Sequence, residues 1–256
     1  MKKLLFLLLP ILFILPGLAN AAFPTQSANL TAASSQSFSA ADSTSLSITG
    51  DQTHEGWYKF STLPSSGNGM NLISKYDPTG SQRGLSVVYE NSAGTYRFHV
   101  RTSANGSTVS EGTVNYTLST NTWYYLRFVY RASAGEMDFY VDNLTTPVGT
   151  EGALTGSIFD NTAPYRIGAN TEISGNFDGK ISVVRVWSNQ HTANDKCTVY
   201  GSAQTNMAAE WSLDNVLTDA SGNGNTLTNN NSATFGVDVP VCVSSNTFNP
   251  YYFWDF

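Results

Sequence analysis

The stretch Thr122 to Asn143, TWYYLRFVYRASAGEMDFYVDN, decides the fold. Two runs dense in aromatic and β-branched residues flank Arg131-Ala132-Ser133-Ala134-Gly135, a short polar connection ending in glycine, and this pattern predicts an antiparallel hairpin. In the second run Met137, Phe139 and Val141 alternate with Glu136, Asp138 and Tyr140. A period of two assigns one face to a core and the other to water, so the hairpin belongs to a pair of stacked sheets.

Outward from the hairpin, the same reasoning predicts strands at Ser37 to Ala41, Ser45 to Thr49, Gln52 to Phe60, Asn71 to Tyr76, Gly84 to Glu90, Thr95 to Ser103, Val114 to Leu118, Tyr165 to Ala169 and Ile181 to Trp187. Turn residues separate them, among them Asp77-Pro78-Thr79-Gly80 and Asn91-Ser92-Ala93-Gly94. One short helix is expected in the C-terminal third. His191 to Tyr200 has helical spacing, with Thr192 as N-cap and Asp195 three residues on.

Several of these strands resemble laminin G-like domains of the concanavalin A-like lectin and glucanase superfamily. The matching features are the Trp-led central hairpin ending in Tyr-Val-Asp-Asn, the QTHEGWYKF strand, the Ile-Ser-Lys-Tyr of NLISKY, the Ile-Gly-Ala element and GKISVVRVW. The resemblance runs from Phe38 to Val239. It implies an all-β, two-sheet antiparallel jelly-roll sandwich. His54 stands where such domains carry an aliphatic residue, so a neutral imidazole is expected to face the core, and Ser182 stands where they generally carry Asp. Met207 to Val239 resembles the opening strands of such a domain yet follows its closing helix. About thirty residues cannot bury a core alone, so this segment is expected to complete the same sandwich, in one domain over residues 22–240 with an aromatic tail at 241–256.

The ends of the chain point to export. Lys2 and Lys3 precede an apolar run to Leu18 and then Ala19-Asn20-Ala21, the pattern of a signal peptide over residues 1–21. No later stretch is apolar enough to span a bilayer, so no stable membrane insertion is expected after cleavage. The two cysteines, Cys197 and Cys242, are expected to pair in an oxidising compartment. Against 19 acidic residues the chain has 13 Lys and Arg, a formal charge of −6, and loss of the leader lysines takes it to −8. A surface this acidic argues against nucleic acid as a partner.

Catalysis is not expected. Superfamily glucanases project carboxylates from alternate positions of one strand, and Glu136 and Asp138 approach that pattern on a water-facing strand, but the third acid falls on Val141. His54, His99 and His191 are far apart in sequence and form no metal or nucleophile motif. For calcium, Asp219-Ala220-Ser221-Gly222-Asn223-Gly224 spaces oxygen ligands as an EF-type loop begins, although the twelfth position is Asn230. By resemblance to rim sites of the superfamily, Asp219 and Asn223 with Asp178, or Asp142 in its place, would hold Ca2+; the alternative is an Asx turn satisfied by its own side chains. Trp57, Trp123, Trp187 and Trp211 read as packing residues, whereas Tyr165, at the start of its short strand, and Tyr251, Tyr252, Phe253 and Trp254 of the tail are the candidate ligand-facing rings. The function expected is a secreted or cell-surface recognition module that binds a glycan or an extracellular protein at rim loops. A glycan hydrolase and a purely structural domain are the alternatives.

Overall fold

A computed structural model describes residues 21–170, 175–192 and 195–242. Nearly all of the expected leader, and the tail beyond Cys242, lie outside the described residues.

The described residues form fifteen strands in two antiparallel sheets. They are β1 (Ser27–Leu30), β2 (Ser37–Ala40), β3 (Gln52–Phe60), β4 (Gly69–Asp77), β5 (Gln82–Ser92), β6 (Thr95–Thr102), β7 (Ser110–Asn115), β8 (Trp123–Arg131), β9 (Glu136–Val141), β10 (Gly149–Glu151), β11 (Tyr165–Ile167), β12 (Gly179–Trp187), β13 (Met207–Trp211), β14 (Thr228–Asn230) and β15 (Thr234–Gly236). The first sheet runs β10-β9-β8-β3-β12-β1-β15, with β13 also on β12, and the second runs β14-β2-β11-β4-β5-β6-β7. The central hairpin forms as expected. Leu126 faces Val141 and Arg131 faces Glu136, and Gly135 takes φ +63° at the turn, where an added Cβ would lie 2.7 Å from the Leu154 carbonyl oxygen.

Phe98, Phe128 and Phe139 interlock between the sheets with ring centroids 5.5 to 5.8 Å apart. Trp211 and Tyr165 stack at 5.7 Å, both fully buried. Tyr165 therefore opens β11, inside the expected strand, and its ring lies in the core rather than facing a ligand; its neighbours Arg166 and Ile167 pair with Ser74 and Ile73 of β4.

Two local expectations fail for physical reasons. Ser45 to Thr49 is not a strand, because the Ser43 carbonyl accepts the N–H groups of Leu46 and Ser47 in a turn that buries Leu46. Among its described residues, the segment His191 to Tyr200 contains no helix. The Asp195 carboxylate accepts the Cys197 N–H and Cys197 is bridged to Cys242, so the chain follows the sheet surface rather than coiling. A strand for which no expectation was stated lies at Ser27–Leu30, before the first expected one. In β1, Ala28 and Leu30 enter the core while Asn29 pairs with Lys180 and Thr234.

The segment after Gly201 enters both sheets. β13 adds to β12 next to Val184, Arg185 and Val186, β14 adds to β2, and β15 adds to β1. The disulfide between Cys197 and Cys242, 45 residues apart, joins this segment to the outer face of the first sheet. A loop of that length contributes about 4 kcal/mol in the chain-entropy account. Beneath it Phe23, Trp57, Tyr125, Val183, Leu144 and Val199 make a second, smaller core.

His54 faces the main core as a neutral imidazole. Its Nδ1 lies 3.0 Å from the Tyr165 hydroxyl and its Nε2 2.9 Å from Gln52 Oε1, and burial drives its pKa from 6.5 to about 3. Below about pH 6.5 the unfolded chain takes up a proton that the folded chain refuses. Stability is therefore expected to be complete above that pH and to decline as the pH falls toward 3, His54 alone withdrawing up to about 4 to 5 kcal/mol. Urea titrations across this range test it, and a His54→Gln variant should have a flatter profile than the parent; an equally steep one refutes the assignment.

Candidate functional site

Alternation of strand direction brings the ends of β1, β3, β5, β7 and β9 and the starts of β4, β6, β8 and β12 to one rim of the sandwich. There the β3–β4 connection, residues 61–68, is held against β5: the Gly67 N–H donates to the Asn91 carbonyl at 2.8 Å, and the Asn91 side chain donates to the Pro64 carbonyl at 3.1 Å. Asp178, just before β12, ties the rim together. Its carboxylate accepts the Ala32 N–H at 3.3 Å and the Thr62 hydroxyl at 2.8 Å, and its carbonyl accepts the Ser61 N–H at 3.0 Å.

Between these anchors lies an open groove of about 500 Å³. Leu63, Pro64 and Met70 give it an apolar wall, while Thr62, Ser65, Asn68 and Asn176 give it polar edges. Asn68 donates to the Ser65 hydroxyl at 3.0 Å, leaving its Oδ1 without a hydrogen bond, and the Asn176 amide has no partner in the described protein. Beyond the β5–β6 turn the same rim carries half-buried rings. Tyr96 stacks on Tyr89 at 5.9 Å, Tyr116 on Phe98 at 6.3 Å, and the Tyr124 hydroxyl accepts the Ser119 N–H at 3.0 Å. A groove with an aliphatic wall, an open amide oxygen, a free amide and nearby tyrosines can receive a polar ring with one apolar face.

The three residues expected to hold calcium do not meet. Asp219 and Asn223 share one loop, but Asp178 sits at the other end of β12. Asp219 accepts the N–H of Glu210, whose strand partner is Arg185, and Gly179 to Arg185 spans about 20 Å at strand rise. The Asp219 carboxylate is also engaged, accepting the N–H groups of Glu210, Ser221 and Asn225 and the Ser221 hydroxyl at 2.8 to 3.0 Å. Asn223 turns its amide N–H groups to the Met207 and Ala208 carbonyls. Oxygens that accept N–H donors point away from a cation, so the loop is built as a turn that fastens β13.

Glu136 and Asp138 are not a free carboxylate pair. Arg131 binds both, and Asp138, expected to face water, is buried, with the Thr150 hydroxyl as a further donor. Beside it, β10 pairs Thr150 with Asp138 and closes the edge of the sheet there.

The densest ionisable cluster lies on the outer face of the first sheet and was not legible in the sequence. Strand register sets Tyr140, Arg127, Glu55, Arg185 and Glu210 in one row across β9, β8, β3, β12 and β13. Arg127, Glu55, Arg185 and Glu210 are all buried, and Arg185 Nε lies 2.6 Å from Glu55 Oε1. Burial alone would push Glu55 up, but Arg185 and the hydrogen bonds from Tyr125 and Trp187 outweigh it and hold the carboxyl below its ordinary range. Burial pushes Glu210 up, since Arg185 stands 3.9 Å away and offsets little. The second sheet has a more open row, in which His99 lies between Glu90 at 2.9 Å and Glu111 at 3.2 Å, with Arg97 and Arg101 outside them. Every carboxylate in both rows has a partner within the protein. Among the described residues no group of three or more His, Cys, Asp and Glu is arranged to hold a metal ion.

The Laminin_G_3 family model of the concanavalin A-like lectin/glucanase superfamily matches residues 32–195, well over half of the sequence, and the chain belongs to this superfamily. Its fold is similar to that of a Bacteroides ovatus ATCC 8483 protein described as a "putative carbohydrate binding protein", with a TM-score of 0.62 at 19% identity over 86% of this chain and 62% of that one. This chain thus spans about three-fifths of that protein's length. A heptameric SAP-like pentraxin from Limulus polyphemus aligns at TM-score 0.49 and 16% identity, over 87% of this chain and 92% of that one. A Ruminococcus gnavus IT-sialidase CBM40 bound to α2,3 sialyllactose aligns at 0.49 and 10%, over 67% and 95%. No curated protein matches the sequence. Likenesses at these identities are of fold.

Proposed function

We propose that the chain is an exported, non-catalytic recognition module that holds a glycan in the rim groove beside residues 61–68. The groove carries this reading: it is open, of a size for one or two sugar units, and edged by the open Asn68 Oδ1 and the Asn176 amide. Resemblance to a protein described as carbohydrate binding supports it. Export is supported by the leader pattern and by a disulfide that suits an oxidising compartment. No helix among the described residues is long and apolar enough to cross a membrane. A non-catalytic role is supported by Arg131, which occupies both Glu136 and Asp138.

Screening the secreted protein on a glycan array, followed by calorimetry on retained sugars, tests the reading. Asn68→Ala combined with Asn176→Ala should weaken binding about tenfold or more, at roughly 1 kcal/mol for each hydrogen bond lost. Glu136→Gln should leave it unchanged. Binding indifferent to the two asparagines would move the site elsewhere, and no binding to any glycan would favour the structural alternative or a protein partner. Sustained release of reducing sugar would restore the hydrolase.

A further inference from the structure

We propose that the rim groove selects uncharged glycans and rejects those carrying a carboxylate, an inference that rests on the glycan reading above. Among the described residues no lysine or arginine lines the groove. The acidic side chain beside it is that of Asp178, bonded to the lining residues Ala32 and Thr62. The lysines at that end of the sheet are occupied elsewhere. Lys59 and Lys180 converge on Asp238 at 2.9 and 2.8 Å, on the outer face of the first sheet. Arg97, at the start of β6, is held by Glu90 at 2.6 Å. A sugar acid entering the groove would leave its hydration shell, meet Asp178 and find no cation, and the acidic charge of the whole chain adds to the repulsion. A neutral sugar meets none of these penalties. Its hydroxyls pair with Asn68 Oδ1 and the Asn176 amide while its apolar face lies on Leu63, Pro64 and Met70.

The test is an array of neutral oligosaccharides printed beside the same oligosaccharides bearing a uronic or sialic acid, read at physiological ionic strength. Each acidic member should bind at least about tenfold more weakly than its neutral partner, as like charge without a counterion requires. Ala33→Lys places an ammonium at an exposed edge of the groove and should narrow the gap to about threefold or less, with raised salt reversing that gain. Acidic members bound as well as neutral ones, or a gap unmoved by Ala33→Lys, would overturn the charge rule while leaving the rim reading in place. Retention of no glycan at all would overturn both together.

Discussion

A chain ending at Gly201 is expected to lose its cooperative melt and its near-UV dichroism. The truncation removes β13 from β12, β14 from β2 and β15 from β1, so both sheets lose strands at once. It also removes Trp211, which has no exposed surface, donates to the Asn225 carbonyl at 2.7 Å and stacks on Tyr165. Emptying one such aromatic site costs about 3 to 5 kcal/mol, and Ala208, Ala209, Leu213, Leu227 and Ala233 leave the same core with it. A natural domain has only about 5 to 15 kcal/mol to lose. A soluble, monomeric truncation with a sharp melt would show instead that the domain closes where the family match ends, at residue 195.

The second large effect is expected at Arg185. Arg185→Met should cost about 3 to 5 kcal/mol in urea unfolding, because it strands the buried Glu55 carboxylate and withdraws the donor to the Thr198 carbonyl. Adding Glu55→Gln should return at least half of that loss, since a neutral amide at position 55 accepts from Trp187 through its oxygen and donates to the Tyr125 hydroxyl through its NH2 without needing a counter-charge. The pH dependence has a definite sign. Glu55 is held below the ordinary carboxylate range, so its stabilisation is complete above its unfolded value of about 4.3 and is lost as the pH falls through the folded one. Double-mutant losses that simply add would show that the two residues act independently.

The central hairpin was legible because its alternation is strict: Met137, Phe139 and Val141 enter the core, and the register from Leu126 to Arg131 follows. Strand β1 was not, because Ala28 and Leu30 are too few apolar side chains to declare a period amid Ser, Asn and Thr. A helix was expected at His191 to Tyr200 because Thr192 and Asp195 have cap spacing, but a cap spacing cannot reveal that Cys197 is tethered 45 residues away. The Asp219 loop shows the limit for sites. Alternating oxygens look alike whether they face a cation or backbone N–H groups, and only the positions of Glu210 and Asn225 distinguish the two. Rim loops were indicated as the place for a ligand, whereas the groove needs Ala32, Met70 and Asn176 brought together from three distant segments. The row from Tyr140 to Glu210 depends on register across five strands, and no single stretch encodes it.

The bridge between Cys197 and Cys242 also has a mechanical meaning. β1 and β15 lie antiparallel, with Ser27 opposite Gly236, so opposite pulls on the chain before β1 and after β15 would load one end of the pair and unzip its bonds one at a time. The disulfide changes the path of that load. Tension entering beyond Cys242 crosses directly to Cys197 and into the nine-residue strand β12, so the residues between the cysteines, with β13, β14 and β15 among them, are slack while the bond holds. While the bond holds, a pull along the chain bypasses the last three strands, and reduction of that one bond would place the β1–β15 pair, which peels one hydrogen bond at a time, directly in its path.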